Sequence, residues 1–151
     1  MRRALYSLGT ILLTVAGAPA QAQDTSYRTA ENPYQDELDY QINDELDMGL
    51  EIDGVRWSHF AVKLRTDRER DPDRNHPVTV ELQLENTGRR NANVLLIILF
   101  EDAEGDPLER LQCEPITVGA GRSRDSAQKY KLSGAVLEAT RKIYLFVEVE
   151  L

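Results

Sequence analysis

The chain reads as an all-β protein, an antiparallel sandwich of six to seven strands preceded by an export signal and an acidic arm. Three observations predict this class. Val78-Thr79-Val80-Glu81-Leu82-Gln83-Leu84-Glu85 alternates apolar and polar residues, the signature of a half-buried strand. Asn86-Thr87-Gly88 breaks that pattern, and Val94 to Phe100 follows as a wholly apolar run. The remaining short runs are separated by turn residues and lack the helical crossovers of a parallel sheet.

The elements follow in chain order. Arg2 and Arg3 form a basic start, Ala4 to Ala16 is mostly apolar, and Ala18-Pro19-Ala20-Gln21-Ala22 has the small residues a signal peptidase needs. Residues 1–22 are therefore expected to be a secretory signal peptide. No Cys lies near the cut, so no lipid can be attached there. The mature protein is expected to be periplasmic or secreted, with no stable membrane insertion after signal cleavage.

Residues 23–47 are expected to be an acidic, partly disordered arm. Asp24 to Asp53 holds ten carboxylates against Arg28 alone, whereas Gly54 to Leu151 is nearly balanced. The acidity belongs to one segment of a chain with net charge −8. Such a balance argues against nucleic acid as a partner. Tyr34, Leu38, Ile42 and Leu46 recur every four residues, which suits a helix. Leu38, Tyr40 and Ile42 recur every two, which suits a strand. Periodicity alone does not choose between them.

The sandwich domain is expected over 48–151. Met48 to Leu64 reads as one long strand, bulged near Gly54. Thr66 to Pro77 is a charged loop. Strands follow at Val78 to Glu85 and Val94 to Asp102, then a turn over Ala103 to Pro107. Leu108 to Cys113, Pro115 to Thr117 and Ser126 to Leu132 are shorter strands. Ser133 to Thr140 carries a short helical turn, and Lys142 to Leu151 is the last strand. Cys113 is the single Cys, which excludes an internal disulfide, and its place in an apolar-polar pattern makes it a small core residue.

Three segments carry a family resemblance. They are Val80 to Gly88, Ile98 to Gly105 and Ile116 to Ser123, covering strand, Asn-x-Gly break, acidic turn and Gly-containing turn. Together they resemble bacterial immunoglobulin-like or fibronectin type III-like sandwiches, and are most similar to the FxLYD-type modules of exported proteins. Glu101-Asp102 stands where that family name has Tyr-Asp. The resemblance implies an accessory or binding module without catalysis of its own.

Catalytic constellations are thin. His59 and His76 are the only histidines, and neither has a partner at metal-ligand spacing. No phosphate loop, nucleophile elbow or zinc signature occurs. The chain is thus expected not to be an enzyme and to carry no cofactor; an exported hydrolase is the least favoured reading. Arg65, Arg68, Arg70 and Arg74, then Arg89 and Arg90, then Arg122 and Arg124 mark three loops, as solubilising charge or as a basic rim for an acidic partner. Asp44, Glu45, Asp47, Glu51 and Asp53 are the densest carboxylates and the candidate calcium ligands, though they do not match an EF-hand loop.

The sharper functional signal is apolar. If Val94, Leu96, Ile98 and Phe100 face the core, Leu95, Ile97 and Leu99 face outward. Tyr144 and Phe146 stand opposite the core face of the last strand. Leaving one such side chain in water forgoes roughly 1.5–3 kcal/mol. A patch of this kind has a cover. The arm through Tyr34, Leu38 and Ile42, a second copy of the chain, or another exported protein are the three alternatives. The expected function is a non-catalytic exported interaction or accessory module using this face. The alternative is a calcium- or ligand-binding periplasmic protein using the acidic segment.

Overall fold

The computed structural model describes residues 26–65 and 71–151. The expected signal peptide, Arg68 and Arg70 lie outside the described residues. Among these, ten strands and one short helix form two packed sheets: β1 Arg28–Ala30, β2 Tyr34–Asp39, β3 Glu45–Ile52, β4 Val55–Leu64, β5 Asn75–Asn86, β6 Ala92–Glu101, β7 Pro107–Gln112, β8 Ile116–Val118, β9 Ser123–Ser133, α1 Gly134–Ala139 and β10 Lys142–Glu150. Sheet one has the order β1-β3-β4-β5-β9 and sheet two β2-β10-β6-β7, with β8 also paired to β6. All neighbours are antiparallel except β1 and β3, which run parallel.

Alternation builds the core. β6 turns Val94, Leu96, Ile98 and Phe100 inward, and β10 turns Ile143, Leu145, Val147 and Val149 inward. Val78, Val80, Leu82 and Leu84 of β5 close the core from sheet one, with Trp57 and Phe60 of β4 packed edge to face at 5.8 Å. Cys113 is buried, as its pattern predicts.

Two expectations are corrected. The span 48–64 is not one bulged strand but the hairpin β3–β4. Asp53 (φ 46°) and Gly54 (φ 79°) turn the chain with two consecutive positive φ angles, the backbone of a tight two-residue loop. This hairpin, together with β1 and β2, raises the strand number above six to seven.

The second correction concerns the arm. Residues 28–47 are not a disordered tail outside the domain; they belong to both sheets. Period two prevails in β2, because Tyr34 and Leu38 sit on the same face as the buried Val147 and Ile143 of β10. Tyr40 anchors the segment that follows. It is 1% exposed, lies 5.8 Å from the Phe60 ring, accepts a hydrogen bond from Val62 N (2.6 Å) and donates to Asp44 O (3.0 Å). Burying an aromatic ring of this size outweighs the cost of ordering one residue. Gln35, Glu37 and Asp39 face outward, while Asp36 shares the inward side with Tyr34 and Leu38 and accepts the Tyr34 hydroxyl hydrogen (3.0 Å).

Two polar side chains fasten the crossings between sheets. Asn32 donates to Asp53 Oδ2 (2.6 Å) and Val149 O (2.7 Å) and accepts from Val149 N (3.0 Å). Asn86, fully buried, donates to Arg90 O and Val118 O and accepts from Gly88 N. Ser133 caps α1 by accepting from Val136 N. Gly134 lies so close to the chain below it that a Cβ would meet Asp71 O at 2.2 Å.

Candidate interaction face

The outer face of sheet two gathers the five apolar residues singled out above. Adjacent strands β6 and β10 pair Leu99 with Tyr144 and Ile97 with Phe146 directly opposite each other, with Leu95 opposite Glu148. Side chains opposite on one face of an antiparallel pair lie about 5 Å apart at Cβ, so each pair forms a contact. All five are half-buried. Their shelter comes from neighbours in the same sheet: no described strand or helix is stacked over them.

Polar residues frame the strip on both flanks. Gln35, Glu37 and Asp39 of β2 stand beside Phe146, Tyr144 and Lys142. On the opposite flank Arg110 and Gln112 of β7 stand beside Leu99 and Ile97. Tyr144 donates its hydroxyl hydrogen to Gln35 Oε1 (2.5 Å), and Lys142 Nζ lies 2.8 Å from Glu37 Oε1. The flanks therefore differ in sign, acidic along β2 and basic at Arg110.

The arm does not cover this face. β2 lies beside β10 as the edge strand, with Tyr34 and Leu38 turned inward. Ile42 is likewise a core residue.

Glu101 closes the strip at its polar end. It is 7% exposed, lies directly opposite Lys142, and its Oε2 is buried without a hydrogen-bond partner among the described residues. Burial raises its pKa, as do the carboxylates of Glu37 and Asp102, while Lys142 opposes the shift. An unpaired buried carboxyl oxygen is costly and is rare in folded proteins.

The candidate calcium ligands are not brought together. Glu45 lies 2.6 Å from Lys63, Glu51 lies 3.0 Å from Arg56, Asp44 accepts from Gln41 N, and Asp53 accepts from Asn32. Asp47 stands apart from these, opposite His59. Among the described residues no cluster of three or more His, Cys, Asp or Glu side chains is placed to hold a metal ion.

Nor do the histidines meet the thiol chemically. Burial pushes the Cys113 thiol up to about 11, opposite to what a nucleophilic thiolate needs. His76 lies not in the expected charged loop but at the start of β5, opposite Leu132, with Nε2 2.9 Å from Asp71 O. His59 lies on the outer face of sheet one. A groove of about 220 Å³ opens between β2 and the part of β3 that β1 leaves unpaired, with Leu38, Leu46 and Met48 as its apolar lining.

Sequence reasoning found the strip by parity along β6 and β10. It missed Glu101, which the rule of alternation places on the outer face, because a Glu at a strand end reads as solvated.

No family model and no curated protein matches the chain. Among solved structures, the Avr2 effector protein from the fungal plant pathogen Fusarium oxysporum is similar over 82% of this chain and 92% of its own, at 8% identity and a TM-score of 0.38. The variable domain of the Streptococcus agalactiae AgI/II polypeptide BspA overlaps 95% of this chain and 90% of its own, at 10% identity and a TM-score of 0.18. At these TM-scores neither likeness carries an argument about this chain.

Proposed function

We propose that this protein is a non-catalytic, exported interaction or accessory module that binds another protein chain through the outer face of sheet two. One observation carries the reading: Leu95, Ile97, Leu99, Tyr144 and Phe146 converge on adjacent strands with nothing described stacked over them. Burying such a strip against a partner recovers hydrophobic free energy, and the charged flanks set orientation. The immunoglobulin-like, FxLYD-type reading belongs to this proposal. It is supported by β9 pairing with β5 and β10 with β6, the counterparts of the B–E and C–F pairs of that architecture, while β2, an early strand, takes the edge place of its last strand. The signal-like residues 1–22 support a periplasmic or secreted location.

The test is photo-crosslinking from position 97 in living cells, read by mass spectrometry. An adduct to a second chain supports the reading. Absence of any adduct to another chain, with the protein folded and exported, overturns it.

A further inference from the structure

The polar frame of sheet two is complementary to itself. The four strands run in the order β2-β10-β6-β7, so the midline of the face falls between β10 and β6, along the apolar strip. Register sets the residues in rows across the strands. One row is Glu37, Tyr144, Leu99 and Arg110; the next is Gln35, Phe146, Ile97 and Gln112; above them stand Asp39, Lys142 and Glu101.

A two-fold axis along this midline keeps each row level and exchanges left for right. It lays β10 on the partner's β6 and β2 on the partner's β7. Tyr144 then meets the partner's Leu99, and Phe146 meets the partner's Ile97. Glu37 meets the partner's Arg110. Lys142 stays with its own Glu37, 2.8 Å away, and Glu101, buried within its own chain, takes no part in the contact. At the far rim Glu148 stands over the partner's Leu95, and no like charges meet. An axis across the strands does the reverse, gathering both sets of β2 acids on one flank and both Arg110 side chains on the other. Sheets that pack face to face keep their strands within about 30° of each other, which the first arrangement satisfies.

We infer that the chain associated with this face is a second copy of the same protein, in an isologous dimer that stacks sheet two on sheet two. This inference rests on the interaction reading above and names its partner. Four strands about 4.8 Å apart and rows about 7 Å apart give a footprint on the order of 400 Å² per copy. At about 800 Å² in total such an interface belongs to the weak, transient class, so self-association is expected only at high protein concentration.

The experiment is sedimentation velocity on the mature protein, up to about 0.5 mM, with two charge reversals. Wild type is expected to dimerise. Glu37→Arg and Arg110→Glu are each expected to weaken self-association by at least about tenfold, because each sets like charges face to face twice. Mixed one to one, the two variants are expected to regain the dimer, because every Glu37–Arg110 contact in the mixed pair is again between opposite charges. Circular dichroism of each variant confirms its fold, and recovery in the mixture itself shows both to be folded. A wild-type monomer at the highest concentration, or a dimer indifferent to both reversals, overturns the inference. In that event crosslinking from position 97 separates the two claims. An adduct to a different protein leaves the interaction reading standing without the dimer; an adduct only to this chain's own residues 1–25 or 66–70, or none, removes both.

Discussion

The two outer faces of the sandwich are built from the same backbone pattern and carry opposite chemistry. On sheet one, a row across the strands reads Glu51, Arg56, Glu85 and Ser123; the next reads Asp47, His59, Gln83 and Asp125. On sheet two, the central positions of the equivalent rows are Tyr144 with Leu99 and Phe146 with Ile97. Sheet one thus follows the rule for a solvated antiparallel face, apolar inside and polar outside. Sheet two breaks that rule only at its centre. The difference teaches that the apolar strip is not a by-product of high strand propensity, since β5 achieves an equally regular strand with Thr79, Glu81, Gln83 and Glu85 outside.

The largest expected effect lies one residue away from the strip. Ile98 is fully buried beneath it, and Ile98→Ala is expected to cost about 2–5 kcal/mol in urea unfolding. Ile97→Ala, on the outer side of the same strand, is expected to cost well below that at concentrations where the protein is monomeric. Equal costs would place Ile97 in the core and erase the contrast between the faces.

Next comes the former arm. Tyr40→Phe removes the hydroxyl that accepts from Val62 N and leaves that buried N–H unpaired. The expected cost is about 1–3 kcal/mol by the same measurement. A neutral result would mean that residues 34–46 contribute to sheet two only as an edge.

Glu101→Gln acts on stability alone. Because burial raises its folded pKa, Glu101 favours the fold most when protonated, below the ordinary carboxylate range. That benefit disappears as pH rises through the ordinary value towards the raised one, so the ionised group costs stability at neutral pH. Glu101→Gln is therefore expected to raise Tm at pH 7, with the gain shrinking as pH falls towards 4. The same change is expected to leave self-association unchanged, because the Glu101 side chain is buried within its own chain. Tm series against pH and sedimentation at pH 7 read the two expectations separately.

The smallest effect belongs to sheet one. Arg56 bridges Glu51 and Glu85 at 3.0 and 3.5 Å, half-exposed beneath the Tyr27 ring. Arg56→Ala is expected to leave Tm nearly unchanged, and Gln83→Lys on the same face is expected to leave sedimentation unchanged.

Much of this was legible from residue order. β5, β6 and β10 follow period two so strictly that both the inward set and the outward strip could be named before any pairing was known. The β3–β4 hairpin was legible in principle. Inward residues have even numbers through Ile52 and odd ones at Val55 and Trp57, a change of parity across Asp53-Gly54, and Asp-Gly between apolar runs is a strong hairpin signal. The arm was not legible, because Tyr34, Leu38, Ile42 and Leu46 satisfy both periods and eight carboxylates dominate the composition of residues 23–47. What turned it into a strand is a partner more than a hundred residues downstream. The same is true of the face: parity found the strip, but only the strand order fixed its flanks and showed β2 lying beside β10, not over it.

That distant pairing has a consequence for biosynthesis. Asn32 and Val149, which tie β2 to the turn and to the last strand, are 117 residues apart. β2 leaves the ribosome more than a hundred residues before its partner β10. Sheet two therefore cannot close on a partly made chain, and the apolar side of β2 waits without its neighbour throughout synthesis. Contacts this remote in sequence slow folding. A chain that closes late leaves the edge of an unfinished sheet open to other strands for longer.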